Sequence, residues 1–141
     1  MHFLTHFGAA IAFAMYFNVT HPLIFVMSSV LIDLDHVYEI VASKDFKKAH
    51  IYNIFSFNTI NYIEPQKQIH ILHTFEILAL LFVLGNFHFI FKWIFLGFLF
   101  HMMLDAIGNV YNRNFKKYGA KNWLKHWFLT YYLLKFAGKT K

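Results

Sequence analysis

Val30-Leu31-Ile32-Asp33-Leu34-Asp35-His36 ends an apolar run that starts near Pro22, and puts two carboxylates and an imidazole into its last four residues. Ionisable groups in a membrane-length apolar segment are expensive, so they face a protein interior and usually serve a purpose there. Three further apolar segments carry groups of the same kind: His6 in the first, His70 and His73 in the third, and His101 and Asp105 in the fourth.

Composition agrees with a chain that has lipid for a solvent. Of its 141 residues, 58% are hydrophobic, 21% aromatic and only 14% charged, against roughly 25% charged in soluble domains. Cysteine is absent, which removes disulfides and thiolate metal sites and leaves His, Asp and Glu as the ligand types. The net charge of +6 raises the question of nucleic acid. The basic residues flank apolar runs, however, so a membrane surface accounts for them better and no nucleic-acid partner is expected.

The expected fold is all-α, an integral membrane bundle of four transmembrane helices with a C-terminal interfacial helix. The first helix covers about 3–19 and is read as uncleaved, because no basic leader or small-residue cleavage site accompanies it. Asn18, Thr20 and Pro22 supply a turn, and the second helix runs from Pro22 to about Ala42. The connection 43–68 is too apolar for a disordered linker and is expected on the membrane surface. The third helix spans about Ile69 to Leu84, stopped by Gly85-Asn86, and the fourth about Phe89 to Val110. Residues 1–110 thus form a metal-binding membrane domain and 111–141 a basic, aromatic tail. In that tail Trp123, Trp127, Tyr131 and Tyr132 stand among lysines, as suits a helix in the headgroup layer.

With four spans, both termini and the 43–68 connection share one side. That side holds Lys44, Lys47, Lys48, Lys67 and the basic tail, whereas the opposite turns carry only Lys92. The positive-inside rule then places both termini in the cytoplasm of a multi-pass inner (plasma) membrane protein. The same topology brings the ionisable groups of all four helices to the cytoplasmic half of the bilayer.

Local spacing supports convergence. His70 and His73 are i,i+3, Asp33 and His36 likewise, and His101 and Asp105 are i,i+4, so each pair shares a helix face. Bundle metal sites are built from such pairs. Asp35 points away from Asp33 on a regular helix, so either the helix loosens there or Asp35 orients a histidine from behind. A lone His in an aromatic helix is most often packing, and His6 taken alone has that reading beside the functional one. Glu76 lies one turn past His73, where ligand, general base and structural partner are all open. Imidazole and carboxylate together suit zinc foremost, with manganese or iron as alternatives.

The segments Thr5-His6-Phe7-Gly8, Ile32-Asp33-Leu34-Asp35-His36, His70-Ile71-Leu72-His73-Thr74 and His101-Met102-Met103-Leu104-Asp105 together resemble the YdjM-like family of inner-membrane-bound metal-dependent hydrolases. The resemblance covers roughly residues 1–110 and rests on the order of the four pieces. It implies that His6, Asp33, Asp35, His36, His70, His73, His101 and Asp105 form the active site. Ile71 follows His70 where many members carry an arginine, so the substrate contact of such an arginine is not carried over.

Eight candidate ligands exceed what one tetrahedral ion takes, so two or more divalent ions are expected. The expected chemistry is hydrolysis of a phosphoester or pyrophosphate bond in a membrane lipid by metal-activated water, with Asp35 and Glu76 as candidate catalytic groups. The lipid is both substrate and environment, and a second copy of the chain is a candidate cover for the exposed apolar faces. Two other classes fit the same residues: a metal-ion or proton carrier, and a non-catalytic metal-binding membrane protein.

Overall fold

A computed structural model describes residues 3–35, 70–111 and 127–138. These residues are helical, without strands, in five helices: α1 (Phe3–Tyr16), α2 (Pro22–Leu31), α3 (Phe75–Gly85), α4 (Phe89–Tyr111) and α5 (Leu129–Phe136). The 43–68 connection, His36 and Trp123 lie outside the described residues.

The element boundaries have local causes. α1 stops because Asn18 takes a left-handed conformation, φ 49°. The Val19 N–H then donates to Ala14 O at 3.0 Å and the Asn18 N–H to Met15 O at 3.4 Å, closing the last turn in the pattern of a Schellman cap. α2 opens on Pro22, whose missing N–H costs nothing at a helix start. Its first regular part ends at Leu31, where Ile32 and Asp33 form a turn; Leu34 and Asp35 are helical again, and 36–42 lie outside the described residues. α3 begins at Phe75, not near Ile69. Thr74 is extended (φ −92°, ψ 148°), so His70–Thr74 fold as a separate turn held by His73 N–H to His70 O at 3.2 Å and Thr74 Oγ1–H to Ile71 O at 2.8 Å. His70 and His73 therefore share a turn rather than the first face of a helix.

α4 is the central element, packed against α2 and α3, with α1 lying mainly on α2. Two apolar clusters flank it. Ala10, Ala14, Phe25 and Val26 join α1 to α2, and Ile32, Phe98 and Met102 join the end of α2 to α4, with Leu78 and Leu81 of α3 against them. Small residues set the α2–α4 spacing. A Cβ on Gly97 would collide with Ser28 Oγ and stand 2.6 Å from Phe25 O. The buried hydroxyls of Ser28 and Ser29 donate to Phe25 O (2.9 Å) and Val26 O (3.1 Å) within their own helix, so they bring no unsatisfied polar group to the seam. Gly97→Val is accordingly expected to cost about 1–3 kcal/mol as an overpacking substitution. A thermal melt in detergent indistinguishable from wild type would refute this account of the seam.

Among the described residues, one helix is long and apolar enough to cross a membrane: the stretch Phe89–Gly108 of α4, 20 residues. The apolar helices α1, α2 and α3 have 14, 10 and 11 residues, below the ~17–25 of an ordinary span. The four-span expectation thus meets a shorter set of helices, partly because polar turns at Ile32–Asp33 and His70–Thr74 interrupt the apolar runs at the site itself.

Candidate metal centre

Four elements deliver side chains to one place. His6 comes from the second turn of α1, Asp33 and Asp35 from the break after α2, His73 from the turn before α3, and His101 and Asp105 from successive turns of α4. His6, Asp33, His73 and His101 are all buried, and His101 completely so.

The break after α2 supplies two features at once. The Asp33 N–H donates to Val30 O at 3.1 Å, a tighter closure than the α-helical one. The carbonyl of Ser29 instead accepts from His101 Nδ1. The same turn cancels the opposition of Asp33 and Asp35 expected on a regular helix. Asp35 Oδ2 lies 3.0 Å from His73 Nδ1, and Asp33 Oδ1 lies 3.7 Å from Nε2 of the same ring. Asp35 Oδ2 also accepts the Leu72 N–H at 3.2 Å, which fixes it as an acceptor beside the imidazole.

These contacts determine the tautomers. A carbonyl can only accept, so His101 carries a proton on Nδ1 and turns Nε2 toward the carboxylates. Asp35 imposes the same state on His73. The two Nε2 atoms lie 3.3 Å apart. Asp33 Oδ1 and Asp105 Oδ2 each lie 3.3 Å from His101 Nε2, and each lies 3.7 Å from His73 Nε2. Two imidazole Nε2 atoms thus face two carboxylate oxygens, a cluster that a cation, whether a metal ion or protons on the rings, stabilises. Ligands on a tetrahedral zinc at about 2.0–2.1 Å stand about 3.3 Å apart, so the spacing matches that of a ligand shell.

Asp105 extends the cluster through its other oxygen. Oδ1 is 3.1 Å from His6 Nε2, and the His6 ring stacks on His101 with centroids 3.9 Å apart and planes 15° from parallel. His6 Nδ1 is buried with no hydrogen-bond partner among the described residues, a costly state for an imidazole. Three overlapping triads have ligand atoms within 4.8 Å of one another: His6/His101/Asp105, Asp33/His73/His101 and Asp35/His70/His73. His101 belongs to the first two and His73 to the last two, and the donors are of the nitrogen and oxygen kind that zinc, manganese or iron take. His36 is outside the described residues.

No family model, curated protein or solved structure matches the chain.

Glu76, whose role was open on the sequence, places Oε2 2.9 Å from the Leu129 N–H and Oε1 3.4 Å from the Thr130 N–H. It caps α5, where a carboxylate also meets the positive end of the helix dipole. Two further bonds tie the tail to the site. The Phe75 N–H donates to Trp127 O at 2.8 Å and the His70 N–H to Tyr132 Oη at 2.9 Å. Tyr132 is fully buried; the headgroup-layer role expected for it gives way to a protein contact beside the histidine turn. Trp127 packs its ring on Phe75, centroids 5.2 Å apart. Sequence reasoning missed Tyr132 and the Ser29 carbonyl. The first looks like any aromatic anchor among lysines, and a backbone oxygen leaves no trace in composition.

Proposed function

We propose that this chain is an integral membrane metal-dependent hydrolase that cleaves a phosphoester or pyrophosphate bond of a membrane lipid. The observation that carries this reading is the convergence of His73 Nε2, His101 Nε2, Asp33 Oδ1 and Asp105 Oδ2 at separations of 3.3–3.7 Å. Asp33, His73, His101 and Asp105 would hold the ion. Asp35 and the Ser29 carbonyl keep the two imidazoles in the ligating tautomer, and His6 steadies the Asp105 carboxylate from its far oxygen. A bound divalent ion would supply a water of lowered pKa and a Lewis-acid clamp on a phosphoryl oxygen. His6 Nε2 and Asp105 Oδ1, 3.1 Å apart, would give a second ion donors beside the first.

The lipid environment is supported by the inverted distribution of side chains. Leu4, Met15, Leu23 and Phe82 are exposed while His6, Asp33, His73 and His101 are buried, the opposite of the usual soluble pattern. On this reading all four long apolar segments are spans of the inner membrane with both termini cytoplasmic, as the lysine asymmetry favours. Helices of 10–14 residues would locally thin the bilayer, which costs only fractions of a kcal/mol per Å. The order of the four ligand segments supports kinship with the YdjM-like hydrolases. Lys67, Arg113, Lys116 and Lys117, suited to an anionic headgroup, lie outside the described residues.

The test uses purified full-length protein. Metal content is measured, and phosphate release from phosphatidic acid and from a polyprenyl pyrophosphate in mixed micelles is followed before and after chelation. Bound divalent metal, loss of turnover with chelator and recovery on adding metal back are expected. Metal bound with no turnover on either lipid, together with ion flux in liposomes, would move the chain to the carrier class.

A further inference from the structure

Along α4 runs a cavity of about 330 Å³ lined by apolar residues. Leu104 and Ile107 line it toward one end of α4, and Val19 and Trp93 toward the other. Leu104 precedes Asp105, so the first end lies level with the site along α4. Between Trp93 and Ile107 the cavity follows about 21 Å of α4, at 1.5 Å per residue. Its opposite wall includes Phe13 of α1, which lies on the same helix face as His6, two turns away. The cavity and the metal centre therefore share two walls, α1 and α4, and both helices carry candidate ligands at the same end.

The dimensions select the occupant. A volume of about 330 Å³ drawn out along about 21 Å of helix makes a long, narrow groove. That admits one extended hydrocarbon chain. It does not admit a helix of another subunit, about 10–12 Å across. We infer that this groove binds a single hydrocarbon chain of the substrate, holding it along α4 so that the chain's polar end lies at the metal centre. The inference rests on the proposed lipid hydrolase reading and narrows its substrate to a lipid phosphate presenting one chain to the protein. Phe13, Phe25 and Phe100 form a mutually contacting aromatic wall, with centroids 4.7–5.6 Å apart, a rigid surface against which a flexible chain is ordered at low cost.

The experiment compares water-soluble n-alkyl phosphates from butyl to octyl as ligands of the metal-loaded full chain, in wild type and in Leu99→Trp, which fills the groove midway. In wild type each added methylene should tighten binding about two- to fourfold. In Leu99→Trp that dependence should flatten, while the affinity for butyl phosphate and the metal content stay unchanged. A separate measurement on wild type covers the case in which the variant does not fold: dodecyl phosphate bearing a terminal photoreactive diazirine should label the α4 segment around Trp93 and Leu96. A chain-length dependence retained in Leu99→Trp overturns the inference. So do labels confined to the His101–Asp105 turn, and crosslinks that join two copies through this face. Chain-length-dependent binding without turnover of any lipid phosphate would sustain the groove while removing the hydrolase reading, and turnover indifferent to chain length would do the reverse.

Discussion

His101→Ala is expected to release the metal and with it all lipid-phosphate hydrolysis. His101 Nε2 is the point common to three contacts of the cluster, at 3.3 Å from His73 Nε2, Asp33 Oδ1 and Asp105 Oδ2. Its removal takes away a donor and leaves two carboxylates facing each other across a buried gap. Loss of partners outside the ligand shell typically costs 10–100-fold in metal affinity. Removal of a central ligand is therefore expected to cost on the order of 10³-fold or more. Titration of the apo-protein with zinc, with helix content checked by circular dichroism, reads this directly. Unchanged zinc affinity in a folded His101→Ala protein would sink the assignment of the centre.

Asp35→Asn should be milder and more discriminating. Asp35 meets His73 at Nδ1, on the side of the ring away from the cluster, and also takes the Leu72 N–H. Its work is to hold the ring in the tautomer and orientation that turn Nε2 inward. The amide keeps the shape and loses the charge, so a 10–100-fold weakening of metal affinity is expected, with stoichiometry preserved once metal is in excess. A loss as deep as that of His101→Ala would mean that Asp35 itself ligates. No change at all would mean that Leu72, Ile71 and the turn around them hold His73 unaided.

Much of this site could be read from the chain alone because ionisable residues in apolar runs have few places to go. Cost and pairing singled out Asp33, His73, His101 and Asp105, antiparallel connectivity gave them a common level, and His6 gained its place from that level rather than from cost. The lengths of α2 and α3 were not legible. Val30–Leu34 and Ile69–Phe75 read as parts of longer apolar segments, and the breaks at Ile32–Asp33 and at Thr74 combine local turn bonds with tertiary bonds to Asp35, His101 and Tyr132. Asp35 shows the same limit. Its spacing from Asp33 set out a choice between a loosened helix and an orienting carboxylate, and the structure uses both. Glu76 and Tyr132 could not be placed from sequence, because each pairs with a partner more than fifty residues away.

The seam at Gly97 reaches further than its packing. Ser29 has its amide close to where a Gly97 side chain would begin, at 3.0 Å, and its carbonyl on His101 Nδ1. One residue thus serves as both the spacer between two helices and the latch on an imidazole. Bulk introduced at position 97, a full helical turn from any ligand, would lever Ser29 outward and unlatch His101. The width of a glycine gap, rather than the identity of the donors alone, would then govern how tightly the ion is gripped.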